Sequence, residues 1–262
     1  MTTASLSEGL SVQRNVIGAL ILREIHTRYG RDNVGYLWLF LEPAILAAMV
    51  ALIHIGGNSH LTGSIGPIPF ALLGYTTFIM FRSIFTRADA VLETNAPLLY
   101  HRQISIFDMV LARALLELAS TIVVLAVLFG IATLAELAHP PERPLALLAG
   151  IGLLWWWSLA LSFLICAATN ENRLVTKFVH PISYILLPIS GAFYMLDWLP
   201  RVYRDIMAWF PMTQMFELIR YGMFAAARDD YVQPIYIIFW CMLLTFLGLL
   251  SIRAVRRHVH IG

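Results

Sequence analysis

Six stretches along the 262-residue chain carry enough consecutive apolar positions to cross a lipid bilayer. A spanning helix needs about 20 mostly apolar residues, because the hydrocarbon core is about 30 Å thick. The stretches are Gly35 to Gly56, Ile68 to Phe85, Ile106 to Leu134, Leu145 to Ala168, Phe178 to Leu196 and Ile235 to Ile252. Arg82 interrupts the second, and Arg113 and Glu117 stand near the start of the third. The pattern predicts an all-α integral membrane protein with six transmembrane helices. No internal repeat, low-complexity tract or flexible linker divides the chain, so residues 1–262 read as a single membrane domain.

Three segments are neither span nor simple loop. Between Val12 and Tyr29, projection at about 100° per residue puts Ile17, Gly18, Ile21, Leu22, Ile25 and Tyr29 on one side. Asn15, Arg23, His26 and Thr27 fall opposite. This suits a helix lying in the membrane interface over 12–30. The second segment runs from about Thr86 to Ser105. Residues 86–95 suit a short helix, which Ala96-Pro97 then breaks, because Pro disfavours helix for the residue before it. The third, 197–231, is long and aromatic-rich. Pro200 and Pro211 each suit a first helical turn, predicting short helices over Pro200 to Phe210 and Met212 to Ala226. They are too short and too charged to span, so they read as re-entrant helices dipping into the outer leaflet, with an exposed periplasmic cap as the alternative.

Orientation follows the basic residues flanking the spans. With the N-terminus cytoplasmic, the inside segments carry Arg14, Arg23, Arg28, Arg31, Arg87, Arg102, Arg173, Lys177, Arg253, Arg256 and Arg257. The outside segments carry Arg143, Arg201, Arg204, Arg220 and Arg228, and the first outside loop, Gly57 to Pro67, has none. Both termini are therefore expected inside.

Composition supports lipid as the solvent: 59% of residues are hydrophobic and 13% charged, against about 25% charged in a soluble domain. A net charge of +2 gives no argument for nucleic acid. Cys166 and Cys241 sit in apolar runs as buried thiols, with neither disulfide nor metal spacing. The apolar run Ile17 to Leu22 is cut off by Arg23 and Glu24, which does not suit a signal peptide.

The chemistry that is missing narrows the function. Lys177 is the single lysine and stands in Thr176-Lys177-Phe178, so no Gly-Lys-Ser/Thr phosphate loop exists, and any ATP must be hydrolysed by another chain. Neither Gly-x-Ser-x-Gly nor His-Glu-x-x-His occurs. Charges at membrane depth are costly and usually face a bundle interior or a water path. Here they are Glu42, Arg82, Arg113 and Glu117, with Lys177 and His180 at the mouth of the fifth span. Arg113 and Glu117 stand i and i+4 and suit a pair on one helix face. Arg82 has no acid at i±4. Trp38, Tyr75, Trp155, Trp156, Trp157, Tyr184, Tyr194 and Trp198 are expected mostly in interfacial belts, with some lining a path for sugars.

Two motifs carry a family resemblance. Leu22-Arg-Glu-Ile-His-Thr-Arg-Tyr-Gly30, followed by Gly35-Tyr-Leu-Trp38 and Leu41-Glu-Pro43, resembles the opening signature of ABC-2 type export permeases. Glu93-Thr-Asn-Ala-Pro-Leu-Leu-Tyr100, Arg102, Asp108 and Ala112-Arg-Ala-Leu-Leu-Glu117 resemble the second. Together they look most like the permease of group 2 capsular polysaccharide exporters, the KpsM type. The family carries prolines after the arginine at position 102 and before the aspartate at 108. This chain has Gln103-Ile-Ser-Ile-Phe107 instead, which leaves the shape of that loop unassigned.

The resemblance implies a homodimer bound to two separate ATPase subunits, which hold the ATP and Mg; this chain is expected to hold no cofactor or metal and to have no catalytic residue. It implies a lipid-linked polysaccharide as cargo, a periplasmic co-polymerase and an outer-membrane channel protein as partners, and the bacterial inner membrane as location. Residues 86–95 become the coupling helix, with Arg87, Asp89, Glu93, Asn95, Leu98, Tyr100 and Arg102 toward the ATPase. Arg23, Glu24, Arg28 and Tyr29 belong to the interfacial helix. Trp38, Glu42, Arg82, Lys177, His180, Tyr184 and Tyr194 are the candidates for the channel wall. An O-antigen or teichoic acid exporter fits the same resemblance. A secondary transporter would need ion-coupling residues at matched broken helices, and a membrane transferase would need a convergent carboxylate or histidine site.

Overall fold

The computed structural model describes residues 6–29, 65–95 and 104–258, with isolated helical positions between 37 and 49. The elements are all helical: α1 (Leu6–Tyr29), α2 (Pro67–Thr86), α3 (Val91–Thr94), α4 (Ile106–Leu134), α5 (Pro144–Glu171), α6 (Thr176–Ile189), a 3-10 turn (Leu196–Trp198), α7 (Arg201–Met207), α8 (Pro211–Met223) and α9 (Pro234–His258). Local sequence sets most of the starts. Pro67, Pro144 and Pro211 each open a helix, where a missing N–H costs nothing. Ser105 and Asp108 close a reciprocal capping box at the head of α4.

Among the described residues four helices are long and apolar enough to cross a membrane: α2, α4, α5 and the Pro234–Val255 part of α9. They match the second, third, fourth and sixth predicted spans. The first predicted span lies largely outside the described residues, as do Leu98, Tyr100 and Arg102.

The fifth predicted span differs from expectation. Helix α6 has 14 residues with Pro181 and Pro188 inside it, about 21 Å at 1.5 Å per residue, and stops at Ile189. Gly191 then turns the chain with φ of +83°, a conformation that favours glycine. Ala192 packs against Gly74, so closely that a Cβ on Gly74 would overlap its carbonyl. Irregular chain, not helix, completes the passage to Leu196.

Helix α5 is central. It packs against α2, α4, α8 and α9, while α1 lies on α4, and α6 touches α2. Trp155 Nε1 donates to the Ala114 carbonyl at 2.8 Å, and Trp156 Nε1 donates to Thr245 Oγ1 at 3.0 Å. These two indoles tie α5 to α4 and α9 within the bundle and are not part of an interfacial belt. Outward faces stay apolar, as on α4 (Ile122, Val123, Val127, Ile131) and α9 (Phe239, Met242, Phe246, Leu250). With lipid as the surrounding solvent such faces cost nothing to leave uncovered.

Candidate functional site: two polar junctions and an aromatic face

Polar side chains gather at the two ends of the bundle. At one end stand the heads of α4 and α6, the tails of α2 and α5, and α1. Here Arg113 Nε lies 3.2 Å from Glu24 Oε1, its Nη1 donates to the Arg87 carbonyl at 3.2 Å, and its Nη2 donates to Thr94 Oγ1 at 3.1 Å. Arg23 donates to Asn95 Oδ1, and Gln13 to Asp108 at 3.1 Å. Arg87 Nη1 is 3.8 Å from Glu117 Oε1. The expected Arg113–Glu117 pairing on one helix face is therefore replaced by longer-range partners, because the tail of α2 and the face of α1 bring an acid and a base of their own.

Helix α1 forms where predicted and begins earlier, at Leu6, and Ile17 and Ile21 of the predicted stripe pack partly against the core. Leu20 and Glu24 are buried and Gln13 reaches α4, whereas Leu22, on the predicted apolar stripe, is 62% exposed. Side chains of Arg28 and Tyr29 lie outside the described ones. The predicted helix over 86–95 is a turn through Arg87–Ala90 followed by the single helical turn α3. Asn95 ends it, buried, with its amide donating to the Val91 carbonyl at 2.8 Å.

On the far side of this segment, His180 Nε2 stands 3.9 Å from Asp89 Oδ2, and Arg173 Nη2 stands 3.5 Å from Glu93. Burial holds the Asp89 carboxyl above the usual aspartate range, against the lowering pull of His180. Lys177 is exposed, one turn before His180.

The predicted wall residues come together only in part. The guanidinium of Arg82 lies 4.2 Å from the Tyr184 ring centroid, and Tyr75 Oη donates to Glu42 at 3.2 Å. Cation–π contact gives Arg82 the partner that its own helix lacks. Trp38, Phe178, Tyr184 and Ile185 are exposed. Tyr194 is elsewhere: its hydroxyl donates to the Ile189 carbonyl at 3.1 Å, at the opposite end of the bundle.

That opposite end holds the residues that sequence reading missed. Arg220 is 1% exposed and Glu217 3%, with Nη1 to Oε1 at 3.5 Å. Both serve the irregular chain after α6. Glu217 accepts from the Leu196 amide at 2.9 Å, and Arg220 donates to the Gly191 carbonyl and lies 4.5 Å from the Phe70 ring centroid. Thr213 Oγ1 donates to the Ile189 carbonyl at 3.0 Å. Arg204 donates to the carbonyls of Leu196, Asp197 and Leu199. Unpaired backbone away from water costs several kcal/mol, roughly 2–7, unless a side chain pairs it. The available signal was Gly191 and a Glu-x-x-Arg on a helix opened by Pro211, which is weak because the two lie far apart in sequence and a local pattern does not show that they meet.

Among the described residues no group of three His, Cys, Asp or Glu stands close enough to hold a metal ion. Nor does either junction present a nucleophile with a base. What the arrangement offers is mechanical: a polar hinge at one end, a buried clamp at the other, and an aromatic, cationic face between them.

Comparison with known proteins places that arrangement. The family model described as "ABC-2 type transporter" matches residues 15–224. The capsule polysaccharide export inner-membrane protein CtrC of Neisseria meningitidis serogroup A is 33% identical over 246 residues, covering 94% of this chain and 92% of that protein. The capsule polysaccharide export inner-membrane protein BexB of Haemophilus influenzae is 30% identical over 249 residues, covering 95% and 94%. The polysialic acid transport protein KpsM of Escherichia coli is 29% identical over 258 residues, covering 92% and 93%.

Proposed function

Since the chain belongs to the ABC-2 type transporter family, we propose that it is the permease subunit of an ATP-driven exporter that moves capsular polysaccharide across the bacterial inner membrane. The observation that carries this reading is similarity along more than nine-tenths of both chains to capsule-export proteins of separate genera. The chain holds no phosphate-binding loop, so two separate ATPase subunits bind the ATP and Mg. A second copy of the permease completes the channel.

In this reading six spans cross the membrane with both termini cytoplasmic. The Arg113 end faces the cytoplasm, in keeping with the basic residues of its flanking segments. Residues 87–95 meet the ATPase, while α1 lies in the interface with Leu10, Val12 and Leu22 toward lipid. Helices α7 and α8 are the re-entrant pair near the outer surface. The exposed face of α6, with Arg82, Tyr184, Lys177 and His180, lines the path. Aromatic rings offer apolar faces to sugars, and cations in a low-dielectric channel attract an acidic polymer. The cargo is lipid-linked, and a periplasmic co-polymerase with an outer-membrane channel protein carries it onward.

Deleting the gene in its host and locating the polysaccharide tests the proposal. Polymer held in the cytoplasm on its lipid anchor, with a bare surface, is expected. An unchanged capsule would sink the capsule reading, and loss of another surface glycan would reassign the cargo within the family.

A further inference from the structure

Two polar routes leave the segment 87–95. One runs outward to the α5–α6 connection and to α6, through Arg173–Glu93 and His180–Asp89. The side chains of Arg173, Glu93 and His180 are 89%, 71% and 60% exposed, and that of Asp89 is 10% exposed. Pairs so open to solvent hold little and weaken further in salt.

The other route runs inward; Glu24, Arg113 and Asn95 are largely buried, and Arg87 and Thr94 are exposed. Side-chain exposure is 16% for Arg113 and 12% for Glu24. All three guanidinium nitrogens of Arg113 are engaged, each on a different element: Glu24 of α1 at 3.2 Å, the Arg87 carbonyl just past α2 at 3.2 Å, and Thr94 of α3 at 3.1 Å. The guanidinium is planar, so the directions of its donors are fixed relative to one another. The three elements cannot slide past each other without breaking a charge-assisted bond to this guanidinium. Beside this hub, Asn95 is 1% exposed and accepts from Arg23, a second bond between the same segment and α1. On the other side Arg87 reaches Glu117 of α4. Inward ties are thus several and mutually constrained, with Glu24, Arg113 and Asn95 largely buried, while the outward pairs each hold at least one strongly exposed side chain.

We propose that Arg113 is a positioning residue that locks segment 87–95 to α1 as one body. A displacement imposed by the ATPase then passes to α1 and the first span, and not to α6 through the exposed pairs. This inference rests on the reading of the chain as an ATP-driven permease. Arg113 touches neither nucleotide nor cargo; its task is to keep hydrolysis and export in step.

The test is the ratio of polysaccharide exported to ATP hydrolysed, measured on the full chain with its ATPase subunits in reconstituted vesicles. Arg113→Gln is expected to lower the ratio about tenfold or more, the scale of typical coupling energies, with ATPase activity near wild type. Glu24→Gln should uncouple in the same way, and the double variant should be no worse than either single, since both remove one link. Arg113→Lys keeps the charge but not the fork, so it should fall between. Arg173→Ala, which removes one of the two outward pairs, should keep the wild-type ratio. A wild-type ratio in both Arg113→Gln and Glu24→Gln, or uncoupling by Arg173→Ala, would overturn the inference. So would a parallel loss of folded protein, hydrolysis and export in every Arg113 and Glu24 variant, which would make the role purely structural. A wild-type chain that purifies with no ATPase fails the underlying reading instead, before any variant is compared.

Discussion

Arg220 and Glu217 stabilise by completing a backbone that no helix completes. Each would be costly alone in the interior, and removing one partner leaves the other buried and uncompensated. Arg220→Met is therefore expected to lose about 3–5 kcal/mol of stability. Glu217→Gln combined with Arg220→Met should recover a large part, since no bare charge remains. Thermal unfolding in detergent, read as the midpoint of each variant, checks both. Asp89 gives a different, pH-dependent expectation. Burial raises its folded pKa above the ordinary 3.8, so the folded state binds this proton more tightly. Its favourable contribution is complete below the unfolded value and is lost as the pH rises through the folded value. Asp89→Asn should thus gain most, relative to wild type, near neutral pH and least near pH about 4, the unperturbed range. Melting curves across that interval that stay parallel for the two proteins would contradict the shift.

Helices meet here by backbone contact more than by side-chain bulk. A Cβ on Gly222 would overlap the backbone of Leu147, which brings α8 directly against α5. Gly222→Val should force the pair apart and cost about 1–3 kcal/mol or more, the range for overpacking. Gly130→Ala in α4 is the contrast, because nothing lies within 4 Å of the added Cβ. It should stabilise by up to about 1 kcal/mol through helix propensity. Equal losses from the two variants in the same melting assay would refute the close-packing account. Helix α6 stands apart from this block: it is short, carries two internal prolines and is exposed along most of its length. Each proline removes one intrahelical bond, so α6 is tied less by its own backbone than a proline-free helix of its length.

At the scale of the whole molecule, the two junctions sit at opposite ends, and α6 runs from one to the other. That geometry predicts a sidedness. Single cysteines placed at His139 and Asp205, both exposed, should react with a membrane-impermeant maleimide from outside intact spheroplasts. Cysteines at Glu93 and Arg173 should react only after the membrane is opened. The native Cys166 and Cys241 are buried and should stay silent. Labelling of position 205 from the same side as 93 would remove α6 as a crossing element and reduce the number of spans.

Four of the spans were legible because a bilayer imposes a length and a polarity that a single run of residues must satisfy by itself. Pro67, Pro144, Pro211 and the Ser105–Asp108 box likewise act within a few residues of where they stand. The family signatures around 22–43 and 93–117 were legible as strings, and residues 15–224 match the family model. Partners across the fold were not. Apolar pattern alone could not say that α1 would turn Leu20 and Glu24 inward, since that face is chosen by Arg113 on α4. Nor could it say that Arg113 would leave Glu117 for Glu24, or that Arg82 would stack on Tyr184. The apolar run Phe178 to Leu196 read as one continuous span, yet its last residues are irregular, because Glu217, Arg220 and Arg204 stand ready to pair the open backbone. Length and hydropathy are local quantities written into the chain. The pairing of buried charges depends on which helices stand side by side, and only the assembled bundle decides that.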